Sequence, residues 1–488
     1  MSTQRTTPPG RATLLPALLT LLLGSVPAAT SSAEPVVIRP YSELNVADAE
    51  FLDTLAQRTF RFFWETTPEN GLVLDRYPSN SPSSIAAIGF GLTAYGVGVE
   101  RDWVSREAGA RRVLATLKTL AGASQSDAPH AAGYQGFFYH FLELDSASRW
   151  RECELSSIDT ALLMAGVLFC QEFFDRDTDQ ESEIRRLADH LYRRVQWDWI
   201  QPRAPLIAMS WRPEKGFGGA DYKGYNEAML LYVLALGSPT HPVDASAWSA
   251  FTETYIWDAF YGPEHVNFSP LFGHQYSHAW IDFRGIQDDY MRSRKSDYFE
   301  NSRRATYSQR SYAIANPRKW VGYGEDLWGL TACDGPANGV FTFAGQERRF
   351  DTYSARGASA EYIRDDGAIA PTAAGGSIAF APEICVPALQ AMRSRYGDDL
   401  FGRYGFLDSF NPSFTFADAP IKRGKIVPGK GWINGDYLGI DQGPIVLMIE
   451  NYRSGLVWRV MRRNEHIRRG LGRAGFEGGW LDAASNSP

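Results

Sequence analysis

Two glutamates stand just before apolar segments at distant points in the chain. Glu154 belongs to the stretch ECELSSIDTALLMAGVLF, and Glu227 belongs to the stretch GYNEAMLLYVLAL. Paired carboxyl groups are the usual catalytic groups of glycoside cleavage, in which one acid protonates the leaving oxygen and the other activates water or attacks the sugar. Separations of roughly 6.5–9.5 Å are typical of inverting enzymes and about 5–5.5 Å of retaining ones. The two residues are therefore a candidate catalytic pair.

The first acid has to be compared with ordinary helix signals. Ser156 and Asp159 have the spacing of a capping box, which explains Asp159 as a structural residue. Glu154 lies before that cap, where no helix rule requires an acid, although the positive end of a helix favours its charge. The pattern therefore indicates a function more clearly for Glu154 than for Asp159.

Two opposing influences act on the pKa of Glu227. Asn226 is a suitable helix cap, and Glu227 would then lie in the first turn, where acids are common. The helix dipole would lower the pKa of Glu227 there, which suits a base. Burial among Tyr222 and Tyr225 would instead raise that pKa, which suits a proton donor. The sequence leaves both outcomes open.

Polar and aromatic residues in other loops are predicted to bind a sugar chain. The chain has 14 Trp, 23 Tyr and 28 Phe, and many of them stand in polar, glycine-rich stretches. Flat rings suit the apolar faces of sugars, and a large core built from big side chains is the alternative. The predicted substrate-binding residues are Asp75, Arg76, Asp159, Trp211, Tyr225, His274, His278, Glu325, Asp326, Trp328, Asp441 and Gln442.

Two histidines raise the question of a metal. His274 and His278 stand four residues apart, a spacing that on a helix presents two ligands to zinc, but no glutamate stands between them in the HExxH manner. Substrate contact or loop packing is therefore the preferred interpretation, and neither a metal nor another cofactor is predicted. The four cysteines have no metal-binding spacing either, and we expect free thiols, with one bridge to Cys333 or Cys385 left open.

The composition and the N-terminal residues limit which binding partners and which cellular compartment are expected. The formal charge is −7 and the pI is about 5.7, which argues against nucleic acid as a partner. Residues 1–33 combine two arginines, the run LLPALLTLLLGSVPAA and small residues, the pattern of a signal peptide cleaved after Ala28, Ala29 or Ala33. No other stretch approaches the roughly 20 apolar residues of a membrane-spanning helix. We therefore predict an exported protein, periplasmic or extracellular, with no integral membrane segment in its mature chain.

Two kinds of helical segment alternate along the chain. A helix that is apolar on all sides must be enclosed, and one with a single apolar stripe covers it. About six such alternations predict an all-α fold, an (α/α)6 barrel of six inner and six outer helices with long loops rich in glycine and aromatic residues, as one domain over residues 40–480. An open solenoid of helix pairs is the alternative, but no fixed-period repeat supports it. The segments that predict inner helices are 83–99, 157–174, 226–236, 377–394 and 440–453; those that predict outer helices include 104–121, 181–196, 245–258 and 458–473.

This arrangement would bring distant residues together. If each inner helix is followed by an outer helix that returns antiparallel, all inner helices run the same way and their N-termini meet at one rim. The loops that precede those N-termini carry the candidate residues from Asp75 to Gln442. We therefore expect one cleft at that rim.

Seven longer motifs resemble a known family. They are FFWETTPENGLVLDR, IAAIGFGLTAYGVGVERDWVSREA, ELSSIDTALLMAGVLF, NEAMLLYVLALGSPTHPV, LFGHQYSHAWIDFRGIQDDY, YGEDLWGLTACDGP and DQGPIVLMIENYRSG. Over nearly the whole mature chain they resemble the glycoamylase-like domain of the endo-β-1,2-glucanases of glycoside hydrolase family 144. The resemblance implies an (α/α)6 barrel, β-1,2-glucan as substrate, sophorooligosaccharides as products and inversion at the anomeric carbon.

The resemblance also implies roles for the two glutamates. Glu227 in the NEAM motif and Glu154 in the ELSSID motif match acids that the family places in its active site, and we assign Glu227 as the proton donor and Glu154 as its partner acid. The family pattern has a further acid three positions before Glu154, where this chain has Arg151, and Glu152 is the available substitute. Because related enzymes relay a proton through a substrate hydroxyl group, Asp441 is also a candidate base.

Other functions fit the same pattern. Related barrels transfer β-1,2-glucan chains instead of hydrolysing them, so a transglycosylase is one alternative. A non-catalytic β-glucan-binding protein is another. A polysaccharide lyase is disfavoured, because an acidic rim would repel uronate sugars.

Overall fold

The computed structural model describes residues 38–483, and the predicted signal peptide, residues 1–33, lies outside the described residues. The prediction of a helix-rich fold is confirmed. The helices are α1 Val46–Thr66, α2 Ile85–Glu100, α3 Arg106–Gly122, α4 Ser157–Phe173, α5 Asp179–Arg193, α6 Met229–Gly237, α7 Ser246–Thr252, α8 Tyr276–Trp280, α9 Asp289–Arg294, α10 Tyr298–Ala315, α11 Pro371–Gly375, α12 Pro382–Tyr396, α13 Gly439–Arg453, α14 Leu456–Met461, α15 Glu465–Arg473 and α16 Gly479–Ala483.

Short antiparallel strands occupy the loops between these helices. They are β1 Arg76–Tyr77, β2 Ser83–Ser84, β3 Gly133–Tyr134, β4 Phe137–Phe138, β5 Phe141–Leu142, β6 Leu155–Ser156, β7 Ile207–Ala208, β8 Ser210–Arg212, β9 Gly216–Phe217, β10 Asp221–Tyr222, β11 Trp257–Asp258, β12 His265–Val266, β13 Ala332–Asp334, β14 Gly339–Phe343, β15 Gln346–Phe350, β16 Tyr353–Ala355, β17 Gly357–Ala358, β18 Ile363–Arg364, β19 Phe401–Gly402, β20 Gly405–Phe406, β21 Phe410–Asn411, β22 Lys425–Val427, β23 Gly431–Ile433 and β24 Tyr437–Leu438. The segment GFFYHFLEL, residues 136–144, contains the two-residue strands β4 and β5, which pair with β3 and β2 respectively.

Three of the ladders join loops that precede different helices. Strand β1 pairs with β24, which ties the loop before α2 to the loop before α13. Strand β2 pairs with β5 at the start of α2, and β6 pairs with β8 at the start of α4. Backbone hydrogen bonds thus hold these N-terminal loops side by side, as the predicted rim requires.

The helices form two layers. Helices α2, α4, α6 and α13 are buried around nearly their whole circumference, and α2 packs between α4 and α13. Helices α1, α3 and α5 pack on their outer side and expose charged residues. Apolar residues on all sides therefore mark enclosed helices, as the sequence pattern indicated.

Two helix predictions are wrong in their details. The predicted inner helix 377–394 begins later, with α12 at Pro382, and a separate short helix, α11, ends before it at Gly375. The predicted outer helix 245–258 shortens to α7, and α15, from the far end of the chain, covers α6 instead. Gly237 and Gly470 permit this contact, because a Cβ atom at either residue would lie about 2 Å from the partner helix backbone.

The four cysteines are free thiols, as predicted. None of the helices between residues 38 and 483 combines the length and the hydropathy that crossing a bilayer requires.

The contact between α2 and α4 gives a stability prediction. A Cβ atom at Gly166 would lie 2.1 Å from the carbonyl oxygen of Gly89. Gly166→Ala is therefore expected to lower the free energy of unfolding by about 3 kcal/mol, because two packed backbones must separate. Gly122→Ala, at the end of α3 with nothing within 4 Å, is the control, and urea denaturation measures both. Equal effects of the two variants would contradict the close helix contact.

Candidate active site

A cavity of about 580 Å³ opens where the inner helices begin, and we call it the central cavity. Ser84 caps α2, Asp159 lies in the first turn of α4, and Tyr276 opens α8. Its lining residues are Asp75, Arg76, Ser84, His140, Phe141, Ile158, Asp159, Leu162, Glu227, Phe272, Tyr276, Ala332, Asp334, Gly335, Thr352, Tyr353, Lys422, Arg423, Leu438 and Ile440. The predicted convergence of N-terminal loops is what forms the cavity.

Asp159 is a wall residue of this cavity and only half of a capping box. The hydroxyl of Ser156 accepts a hydrogen bond from the Asp159 backbone N–H at 3.2 Å, as in a normal cap. The same hydroxyl donates to the Asp159 carboxylate at 2.5 Å. The carboxylate therefore faces the cavity, which the capping pattern did not indicate.

Glu227 lies in a tight turn before α6, not in its first turn. The Asn226 side chain accepts from the backbone N–H of Ala228 at 2.9 Å, and the helix begins at Met229. The Ser277 hydroxyl donates to the Glu227 carbonyl oxygen at 2.9 Å, which ties this turn to α8. The backbone of Glu227 is thus held at the cavity wall from both sides.

The Glu227 carboxyl group is a candidate proton donor. Burial raises the pKa of Glu227 to about 7, and the negative charge of Asp159 adds to this. Hydrogen bonds from its own backbone N–H and from Tyr222 oppose the rise. A substantial fraction of Glu227 therefore carries a proton at neutral pH, so burial prevails over the helix dipole.

Glu154 has the opposite ionisation. Its carboxylate accepts from His140 Nδ1 at 2.9 Å and from Arg212 Nη2 at 3.0 Å. The His140 hydrogen bond outweighs burial and, with the charges of His140 and Arg212, lowers the pKa of Glu154 to about 2. The site thus joins one protonated acid and one ionised acid, the division of roles that acid–base catalysis needs.

A second acidic group, Asp75 and Asp334, also lines the central cavity. Arg76 Nη1 lies 2.7 Å from Asp334 and its Nε lies 3.2 Å from Asp75. Behind them, burial raises the pKa of Asp408 to about 6, and the charge of Asp334 adds to that rise. Burial and the neighbouring Asp408 raise the pKa of Asp441 well above its usual value. Arg76 is therefore the counterion of a buried carboxylate cluster as well as a wall residue.

The structure brings together only part of the predicted site. Asp75, Arg76, Asp159 and Glu227 line the central cavity, and Glu154 lies directly behind His140. Asp441 and Gln442 lie behind the wall: both are buried, and Gln442 donates to the Phe406 carbonyl oxygen at 2.9 Å.

The predicted substrate contacts of the two histidines are corrected, because both are fully buried in the core. The His274 ring donates to the Phe268 carbonyl oxygen at 3.1 Å, and the His278 ring meets Ser302 at the same distance. Burial lowers the pKa of each histidine to about 3, so both rings are neutral. Among residues 38–483, no group of three His, Cys, Asp or Glu side chains is arranged to hold a metal ion.

Five further residues that we predicted to bind substrate also lie outside the cavity lining. Glu325 is exposed and pairs with Arg310 at 2.6 Å, and Asp326 is beside it on the same turn. The aromatic residues pack against other side chains of the protein. Trp328 is fully buried, Tyr225 packs on His274, and Trp211 packs on Tyr134 and Trp199. Large rings satisfy the core first, which is the alternative that composition left open.

Sequence reasoning missed His140, Tyr276, Asp334, Tyr353 and Arg423, which also line the cavity. His140 stands between Tyr139 and Phe141 in a largely aromatic segment, and an ionisable side chain in such a segment was the available signal.

The helix-rich fold and two carboxyl groups of opposite ionisation are the features of a glycoside hydrolase. The family model Glycoamylase, described as "Putative glucoamylase", matches residues 220–465. The solved structure of a protein from Bacteroides uniformis ATCC 8492 with the same description has a TM-score of 0.77 and 31% identity, covering 90% of this chain and 100% of that chain. The chain belongs to this family, the glycoamylase-like domain of the predicted resemblance.

Two relatives carry more specific names. An exo beta-1,2-glucooligosaccharide sophorohydrolase (non-reducing end) of Parabacteroides distasonis is 27% identical over 462 residues, 87% of this chain. This chain spans only 58% of the length of that relative. The endo-beta-1,2-glucanase of Chitinophaga pinensis, solved as a complex with sophorotriose and glucose, has 27% identity and a TM-score of 0.75, covering 90% of this chain and 100% of that one.

Proposed function

We propose that this protein hydrolyses β-1,2-glucan to sophorooligosaccharides with inversion, using Glu227 as the proton donor. The observation that carries the proposal is the pair of opposite ionisation states, with the pKa of Glu227 near 7 at the cavity wall and that of Glu154 near 2 behind the wall residue His140. The names of the two relatives supply the substrate, since both act on β-1,2-linked glucose.

Glu227 would protonate the leaving glycosidic oxygen from the cavity wall. A carboxyl group with a pKa near the working pH is protonated often enough to donate and is acidic enough to give up its proton. Tyr222 and the Glu227 backbone N–H stabilise the carboxylate that remains. Water would reprotonate the Glu227 carboxylate after each turnover.

Glu154 is proposed as the partner acid. A base must be ionised, and the low pKa of Glu154 meets that condition. His140 and Arg212 each occupy one site on its oxygens, and a carboxylate has about four such sites, so room remains for water. Asp441 stays the alternative base, but it lies behind the wall and would need a substrate hydroxyl group as a relay.

The architecture that supports this chemistry is proposed to be the complete (α/α)6 barrel, one domain over residues 40–480. Helix α8 packs on α6 and α13, and α11 packs on α13. Gln275, just before α8, donates to the Ala373 carbonyl oxygen and to the Ser377 hydroxyl at 2.8 Å each, which joins α8 to α11. The inner ring would then be α2, α4, α6, α8, α11 and α13, and the outer ring α1, α3, α5, α10, α12 and α15.

The protein is also proposed to be exported. The support is the signal-peptide pattern of residues 1–33. Mass spectrometry of the protein after expression from its full gene is expected to find a new N-terminus after Ala28, Ala29 or Ala33. Retention of residues 1–33 would contradict export.

Incubation with linear β-1,2-glucan tests the activity. We expect new reducing ends, sophorooligosaccharides on chromatography, and products that appear first as α-anomers by NMR, because inversion of a β-linkage gives an α-product. Longer chains at high glucan concentration would indicate transfer instead. Binding without reducing ends would indicate a glucan-binding protein, and absorbance from unsaturated ends would indicate a lyase.

A further inference from the structure

His140 is fixed at the wall of the central cavity by its backbone and by its ring. Its N–H donates to the Glu154 carbonyl oxygen at 2.8 Å, and its carbonyl oxygen accepts from the Ile85 N–H at the start of α2, at 3.2 Å. Its ring lies parallel to Phe141, with 4.0 Å between ring centroids. These contacts leave the imidazole little freedom to turn.

Both ring nitrogens of His140 face carboxylate oxygens. Nδ1 is 2.9 Å from Glu154 Oε1, and Nε2 is 3.7 Å from Asp159 Oδ1. A neutral imidazole has one N–H and one lone pair, so one of the two contacts would be repulsive. The geometry therefore fits an imidazolium cation that bridges the two acids.

The surrounding charges support the same state. Asp75, which pairs with Arg76 at 3.2 Å, is near enough for its charge to act on His140, while the second oxygen of Glu154 pairs with Arg212 at 3.0 Å. Burial lowers the pKa of His140, but Asp159, Glu154 and Asp75 together raise it to about 9. The three carboxylates thus alternate with three cations, and His140 is the central one.

We propose that His140 is a positioning residue that bridges Glu154 and Asp159 as a cation and holds both carboxylates beside the donor Glu227. Without the bridge, the two carboxylates would repel each other across the cavity wall. Asp159 also contributes to the raised pKa of Glu227, so the bridge connects the base side of the site to the donor side. This role rests on the proposed functions of Glu154 and Glu227.

Titration of the histidines tests the charge of the bridge without any substrate. In protein labelled with ¹³C at the histidine Cε1 atoms, we expect one imidazole signal to titrate near pH 9, and this signal to disappear in His140→Gln. Glu154→Gln is expected to lower its titration midpoint, because one carboxylate partner is lost. His241→Gln, a histidine at 3.6 Å from Asp198 on the surface, is the matched control and should leave the signal unchanged. A His140 signal that titrates at or below its ordinary pKa of about 6.5 would overturn the proposal.

The pH dependence of kcat/KM tests the positioning role. In His140→Gln the pKa of Glu154 is expected to rise toward its ordinary value of 4.5, so the acidic limb should move up by about 1–2 pH units. The alkaline limb, set by Glu227, and KM should change little. A profile lowered equally at every pH would mean a merely structural role and would overturn the proposal. If the wild-type protein cleaves no glucan, the proposed function fails, and the histidine titration still decides the charge of His140.

Discussion

Glu227→Gln is expected to lower kcat on β-1,2-glucan by about 1000-fold, with a much smaller change in KM. Glutamine keeps the size of the side chain but has no acidic proton, and general acid catalysis contributes about 10²–10⁴-fold. Steady-state kinetics with reducing-end detection measures the loss. Glu253→Gln, at an exposed position after α7, is the control and should retain full activity.

The same variant gives a pH and stability signature. The donor must be protonated, so wild-type kcat/KM is expected to fall as pH rises above the Glu227 pKa of about 7. The folded-state pKa of Glu227 is raised, so ionisation costs the folded state stability as pH rises from 4.5 to about 7. Glu227→Gln removes this cost and should be at least as stable as the wild type at neutral pH. Thermal denaturation of Glu227→Gln shows whether the variant is folded, so that a loss of activity is not caused by unfolding. A folded Glu227→Gln protein with near-normal kcat would refute the assignment of Glu227 as the donor.

Arg76→Met is expected to lower the free energy of unfolding by about 3–5 kcal/mol, because it removes the counterion of Asp75 and leaves Asp334 with only the more distant Arg423, at 3.7 Å. Arg76 pairs with Asp75 at 3.2 Å, Asp334 at 2.7 Å and Asp436 at 3.5 Å. Its side chain is only 13% exposed, so solvent cannot replace it. Urea denaturation measures the loss. Arg111→Met, which breaks an exposed pair with Glu107, is the control, with an expected change of less than about 1 kcal/mol.

The deficit of Arg76→Met should depend on pH. Burial already raises the pKa values of Asp75, Asp408 and Asp441, and Arg76 opposes this for Asp75 and Asp441. Without Arg76 the folded protein binds protons more tightly than the unfolded chain, so its stability falls as pH rises through those pKa values. The deficit is therefore expected to be larger at about pH 8 than at about pH 5. An equal deficit at both pH values would contradict the role of Arg76 as a counterion.

The enclosed helices were predictable because their signal is local. Residues 85–100 and 157–173 are apolar in every direction, and burial on all sides follows from that pattern alone. The order of apolar and amphipathic helices then indicated where the N-terminal loops would meet. The late start of α12 also has a local signal that the prediction missed, because Pro382 cannot continue a helix that begins before it. The covering of α6 by α15 was not predictable, because it depends on a contact between backbones far apart in the chain.

The site was predictable only in part, for a related reason. Chemistry-bearing residues in the right loops pointed to Glu154, Glu227, Asp75 and Arg76, whose neighbourhood in space follows from the rim. His274 and His278 looked equally suitable, yet they are fully buried. Whether a polar residue in a loop faces a cavity or the core is decided by the elements packed against it, and these come from other parts of the chain.

The amino-acid sequence by itself determined the helix-rich fold, the rim where helices begin and the two glutamates, because periodicity and residue type are properties of short segments. Only the tertiary structure decided the charge of each group. Helix α6 begins at Met229, so Glu227 lies before its first turn, and burial is the main influence on its pKa. His140 becomes a bridging cation because carboxylates from two elements surround it. Ionisation depends on distance and burial, and both arise only when the chain has folded.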